Sequence, residues 1–111
     1  LFGDILSDLG GAIMGSLGLA GSGNINPEKD FPSMFEPIHG SAPDIAGAGI
    51  ANPVGTIWSV ALLLSHIGQN EAADILMSAV DATLGSGIQT VDIGGKASTM
   101  EFADAVVKNL D

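Results

Sequence analysis

Between Pro53 and Ile67 the chain reads PVGTIWSVALLLSHI, without one Asp, Glu, Lys or Arg. Ile57, Trp58, Val60, Leu62, Leu63 and Leu64 fall on most sides of a helix, so no broad solvent face remains. Such a helix is expected to be central and buried in a packed domain. Its limits are written locally. Asn52 supplies an N-cap oxygen, Pro53 suits the first helical position, and Gly68 stops it. The uncharged stretch around it contains only about 14 mostly apolar positions, too few for a membrane span.

Other elements are expected to gather around this helix. Residues 71–84 read as an amphipathic helix, with Ile75, Leu76, Ala79 and Val80 inward and Glu71, Asp74, Ser78 and Asp81 outward. Residues 88–93 alternate weakly and are expected to form a short strand. Ser98 and Glu101 fit a capping box opening a last helix that packs Phe102, Val106 and Leu110, with Asp104 and Lys108 as an i, i+4 pair. Residues 4–14 read as a short opening helix. Between it and Pro53 lies a long stretch rich in Gly, Pro, Ser and Asn, with brief strands expected at 17–20 and 34–38. So long a loop-dominated segment is uncommon in a compact domain unless it has a function.

Composition limits that function. The 111 residues are 46% hydrophobic, enough for one domain with a core. Thirteen acids face three lysines, a formal net charge of −10 that argues against a nucleic-acid backbone or an anionic membrane surface as partner. No arginine is present, so the planar forks that usually recognise carboxylates are missing. The absence of cysteine excludes disulfides and thiolate metal ligands and is compatible with a reducing compartment. No secretory signal pattern opens the chain. It begins with Leu inside a helical pattern, which suggests a piece of a longer protein.

Two stretches carry candidate chemistry. In LFGDILSDLGGAIM, Asp4 and Asp8 stand four residues apart and repel on one helix face by roughly 0.2–0.5 kcal/mol. Acids in a helix's first turns complement its dipole, which suits Asp4 better than Asp8. Alternatively, both carboxylates reach one hard divalent cation such as Mg²⁺ or Mn²⁺, which turns the repulsion into an advantage. The second stretch is FEPIHGSAPDIAGAGIANP, residues 35–53. Gly40, Ser41 and Ala42 admit a flat ligand near the backbone, and Asp44 can accept both hydroxyls of a ribose while repelling a 2′-phosphate. Asp44 and His39 are equally compatible with ordinary polar loop positions. His66 and Trp58 read as satisfied or core side chains, and the Gly47-x-Gly49 pattern follows no clear strand and is set aside as a dinucleotide fingerprint.

Taken together and in order, GDILSDL and FEPIHGSAPDIAGAGIANP resemble the C-terminal third of the β-decarboxylating dehydrogenases, the isocitrate and 3-isopropylmalate dehydrogenase family. The resemblance spans essentially the whole chain. Residues 24–44, together with Asp8-Leu9-Gly10-Gly11 and Ile57-Trp58, are most similar to the tartrate and D-malate branch. It implies the family's α/β fold, three α/β/α layers, here as an incomplete C-terminal segment. Residues 1–14 would close the subunit-interface domain, and residues 15–111 would form the C-terminal part of the NAD-binding domain.

The same resemblance implies oxidation of a small 2-hydroxy diacid by hydride transfer to NAD, followed by decarboxylation assisted by Mg²⁺ or Mn²⁺. Asp4 and Asp8 match the family's metal-binding aspartates, with a further ligand from the other subunit of a homodimer. Glu36, His39, Gly40, Ser41, Ala42, Asp44 and Asn52 match its cofactor-binding loop. Asp44-Ile45 is the NAD form of that loop. Ala48 departs from the family, where many members carry lysine. The family's substrate arginines and its catalytic tyrosine and lysine have no counterpart here, so the chain is expected to be part of a protein about three times longer and inactive alone. A cytoplasmic enzyme is expected, without nucleic-acid or membrane partners. The alternatives are 3-isopropylmalate as substrate or, in another class, a non-catalytic domain that binds a nucleotide or a partner.

Overall fold

Three α-helices and one short hairpin make up the main regular structure of residues 21–24, 33–37 and 42–110, the residues that the computed structural model describes. β1 (Gly21–Asn24) runs antiparallel to β2 (Met34–Pro37), with Gly21 opposite Pro37 and Asn24 opposite Met34. β2 lies inside the apolar run expected at 34–38. β1 has the sequence GSGN, which reads as a turn; pairing with β2, rather than propensity, makes it a strand. The strand expected at 17–20 and the opening helix lie outside the described residues.

α1 (Val54–His66) packs on both strands and on α2 (Asn70–Gly85), which packs in turn on α3 (Thr99–Asn109). The charge-free segment therefore sits between the hairpin and α2. Its start is capped as expected: Asn52 Oδ1 accepts the Val54 N–H at 2.9 Å. Both α1 and α2 end in Schellman motifs. Gly68 (φ +87°) and Gly87 (φ +88°) take the left-handed conformation, and the next amides reach back, Gln69 N–H to Leu64 O and Ile88 N–H to Thr83 O. α3 opens with the expected capping box, Ser98 Oγ accepting from Glu101 N–H and Glu101 Oε1 from Ser98 N–H, each at 3.1 Å.

The core is Val54 and Ala61 of α1, Ala73, Met77, Ala79, Val80 and Leu84 of α2, and Phe102 and Val106 of α3. Ala73, Met77, Val80 and Leu84 follow the i, i+4, i+7, i+11 stripe of one helix face. Ile75 lies about half a turn from that stripe and is 46% exposed, not inward as its hydrophobicity suggests. α1 also departs from expectation. Its buried positions are the small ones, Val54, Gly55, Ser59 and Ala61, while Val60 and Leu63 are exposed. Leu110 is exposed at the end of α3, and Asp104 and Lys108 form no ion pair among the described residues.

Residues 88–93 do not form the expected strand. Thr90 makes a single parallel bridge to Ala97, and Val91–Ile93 is a 3-10 turn that ends at Gly94 (φ +93°). Gly94 and Gly95 reverse the chain onto itself, so Gly95 N–H donates to Thr90 O and Ala97 N–H to Gln89 O, both at 2.9 Å. Ile88 and Ile93 pack against the core while Val91 faces out. Weak alternation reflected this coil rather than a pleat.

Candidate functional site

Residues 42–52 lead into α1 and are built from successive tight turns. Ile45 N–H donates to Ala42 O and Ala48 N–H to Ile45 O, each at 3.1 Å. Three positions have positive φ: Gly47 (+82°), Gly49 (+70°) and Ala42 (+45°). The glycines adopt this freely; Ala42 does so at a steric cost, on the order of 1–3 kcal/mol. Among the described residues, a Cβ at Gly47 or Gly49 would meet nothing within 4 Å. Asp44 is exposed on the loop and its carboxylate accepts no hydrogen bond among the described residues.

The end of the loop is anchored from elsewhere in the chain. Asn52, only 7% exposed, holds α1 through Oδ1 and donates from Nδ2 to Asp92 Oδ2 at 3.1 Å. The other oxygen of Asp92 accepts from the hydroxyl of Thr90, itself fully buried. Thr99 at the start of α3 donates twice: its N–H to Gly49 O at 2.9 Å and its hydroxyl to Ala51 O at 2.5 Å. The 3-10 turn and the first turn of α3 thus meet the loop where it becomes α1.

Of the residues matched to a cofactor loop, Ala42, Asp44 and Asn52 lie on this segment, and Glu36 is an exposed residue of β2, opposite Ser22. His39, Gly40 and Ser41, and the proposed metal ligands Asp4 and Asp8, lie outside the described residues. Among the described residues no three His, Cys, Asp or Glu side chains gather as a metal site. His66 is half-buried with its ring centroid 5.5 Å from that of Phe35. Thr90, Asp92 and Thr99 were not legible as parts of this site. Their contacts span 40 and 48 residues for the Asp92 and Thr99 side chains, beyond any local pattern. No helix among the described residues is long and apolar enough to cross a membrane.

What residues 42–52 offer chemically is an open acceptor carboxylate, a small-residue backbone and a rigid exit into a helix. A carboxylate so placed can accept both hydroxyls of a ribose.

Comparison with known proteins agrees on kinship. The family model for isocitrate/isopropylmalate dehydrogenase matches residues 1–106. A probable tartrate dehydrogenase/decarboxylase of Agrobacterium vitis is 59% identical over 106 residues, 96% of this chain and 30% of that protein. The D-malate dehydrogenase [decarboxylating] of Escherichia coli (strain K12) is 49% identical over 113 residues, 97% of this chain and 31% of that protein. The crystal structure of isocitrate dehydrogenase from Methylococcus capsulatus superposes with a TM-score of 0.81 at 42% identity, covering 99% of this chain and 32% of that one. The chain spans about a third of the length of these relatives. With one family model covering nearly all of it and a matching fold, the chain belongs to the isocitrate/isopropylmalate dehydrogenase family and carries an incomplete segment of its α/β fold.

Proposed function

We propose that this chain is the C-terminal third of an NAD- and divalent-metal-dependent enzyme that oxidatively decarboxylates a 2-hydroxy diacid, D-malate or tartrate. The observation that carries the reading is identity of about half or more, over nearly the whole chain, with relatives named for those two activities. What NAD and the metal supply when bound is a hydride acceptor and a Lewis acid.

This chain's own residues hold those groups and do not perform the proton chemistry. Asp44 accepts the adenosine ribose hydroxyls, and its charge disfavours a 2′-phosphate, hence NAD rather than NADP. Glu36, His39, Gly40, Ser41, Ala42 and Asn52 complete the cofactor loop. Asp4 and Asp8 supply hard carboxylate oxygens that suit Mg²⁺ or Mn²⁺, with a further ligand from the other subunit of a homodimer. Residues 1–14 belong to the subunit-interface domain and 15–111 to the NAD-binding domain of a cytoplasmic enzyme.

The test is steady-state kinetics of the full-length enzyme with D-malate, tartrate, 3-isopropylmalate and isocitrate. D-malate or tartrate should give the highest kcat/KM, chelation should abolish turnover, and Asp44→Ala should raise the KM for NAD by about tenfold or more. The same variant should leave the KM for the diacid unchanged. Preference for 3-isopropylmalate or isocitrate would reassign the substrate, and an unaltered NAD KM would reject the cofactor site.

A further inference from the structure

The loop at residues 42–52 is gripped by a residue far from it in sequence. Thr99 is the first residue of α3, where a backbone N–H has no acceptor within its own helix. That N–H donates to Gly49 O, and the Thr99 hydroxyl donates to Ala51 O. The two carbonyls flank Ile50, so the contacts set both the position and the direction of the chain as it enters Asn52. The base of the grip is stiff. The Ser98–Glu101 capping box fixes the turn on which Thr99 sits, and Phe102 in the same turn is fully buried. On the other side, Ala46 to Ile50 are all exposed, and among the described residues the backbone bond to them from outside residues 42–52 comes from Thr99.

We propose that Thr99 is a positioning residue for nucleotide binding, its hydroxyl holding residues 42–52 in the conformation that accepts the cofactor. Apparent affinity falls in proportion to the fraction of molecules in the competent conformation, so loosening this one contact weakens binding without touching the ligand. The role presupposes that residues 42–52 form the NAD site.

The experiment uses the full-length enzyme. Thr99→Val keeps the branched shape and the backbone contact to Gly49 but removes the hydroxyl. It should raise the KM for NAD about three- to tenfold, the worth of one net hydrogen bond, with kcat and the KM for D-malate unchanged. Thr99→Ser should restore the NAD KM, and Thr99→Ala, which also lacks the hydroxyl, should reproduce the split if valine disturbs α3. An unchanged NAD KM in Thr99→Val beside a raised one in Asp44→Ala overturns the positioning role alone. Unchanged values in both variants overturn the NAD site and this role with it. A lower melting temperature with kcat and both KM values moving together would make Thr99 merely structural.

Discussion

Asn52 holds two structures together with one side-chain amide. Its oxygen caps α1 and its nitrogen reaches Asp92, so the start of α1 and the 3-10 turn are fixed to each other at the exit of the loop. The two contacts separate by mutation. Asn52→Ala removes both and should cost about 0.5–2 kcal/mol, the worth of the cap. Asn52→Asp keeps a capping oxygen but sets a carboxylate where an amide faced Asp92 Oδ2 at 3.1 Å. Two like charges so close raise a folded-state pKa above its unfolded value. That variant's relative stability is therefore present at low pH and lost as pH rises through the raised value. Thermal melts of the full-length Asn52→Asp protein should approach wild type as pH is lowered toward the carboxylate range, whereas the Asn52→Ala deficit should remain.

The helices owe their limits to short-range chemistry. Asn52-Pro53, Ser98 with Glu101, and the glycines at 68 and 87 place starts and stops because each satisfies amides or carbonyls within a few residues. The segment from Gln89 to Ala97 is different, since its shape depends on backbone folding onto backbone. A Cβ at Gly95 would overlap the Gln89 carbonyl oxygen, which cannot move without breaking its contact with Ala97 N–H. Gly95→Ala should therefore destabilise by about 1–3 kcal/mol or more. Gly85→Ala makes the control: none of the described residues lies within 4 Å of its Cβ at the last position of α2, and the change should be neutral or stabilising by up to about 1 kcal/mol. Denaturant melts of the two variants in the full-length protein check the contrast.

At the scale of the whole molecule, Val60 and Leu63 of α1 and Ile67 just past its end remain exposed, as do Met34 and Ile75. The isolated 111-residue chain should bind hydrophobic dyes and self-associate as concentration rises, measured by light scattering; a cooperative melt of a stable monomer would contradict this. The sequence by itself determined the helices, their caps and the Phe102–Val106 packing, because those rest on neighbours one to four residues away. It also held the motif pair whose resemblance marks the family. Only the tertiary structure decided that GSGN is a strand, that residues 88–93 coil, and that Ile75 faces out. It alone joined Thr90, Asp92 and Thr99 to the loop at Asn52. Those outcomes are set by hydrogen bonds and packing between segments tens of residues apart, and such pairings leave no period in the chain.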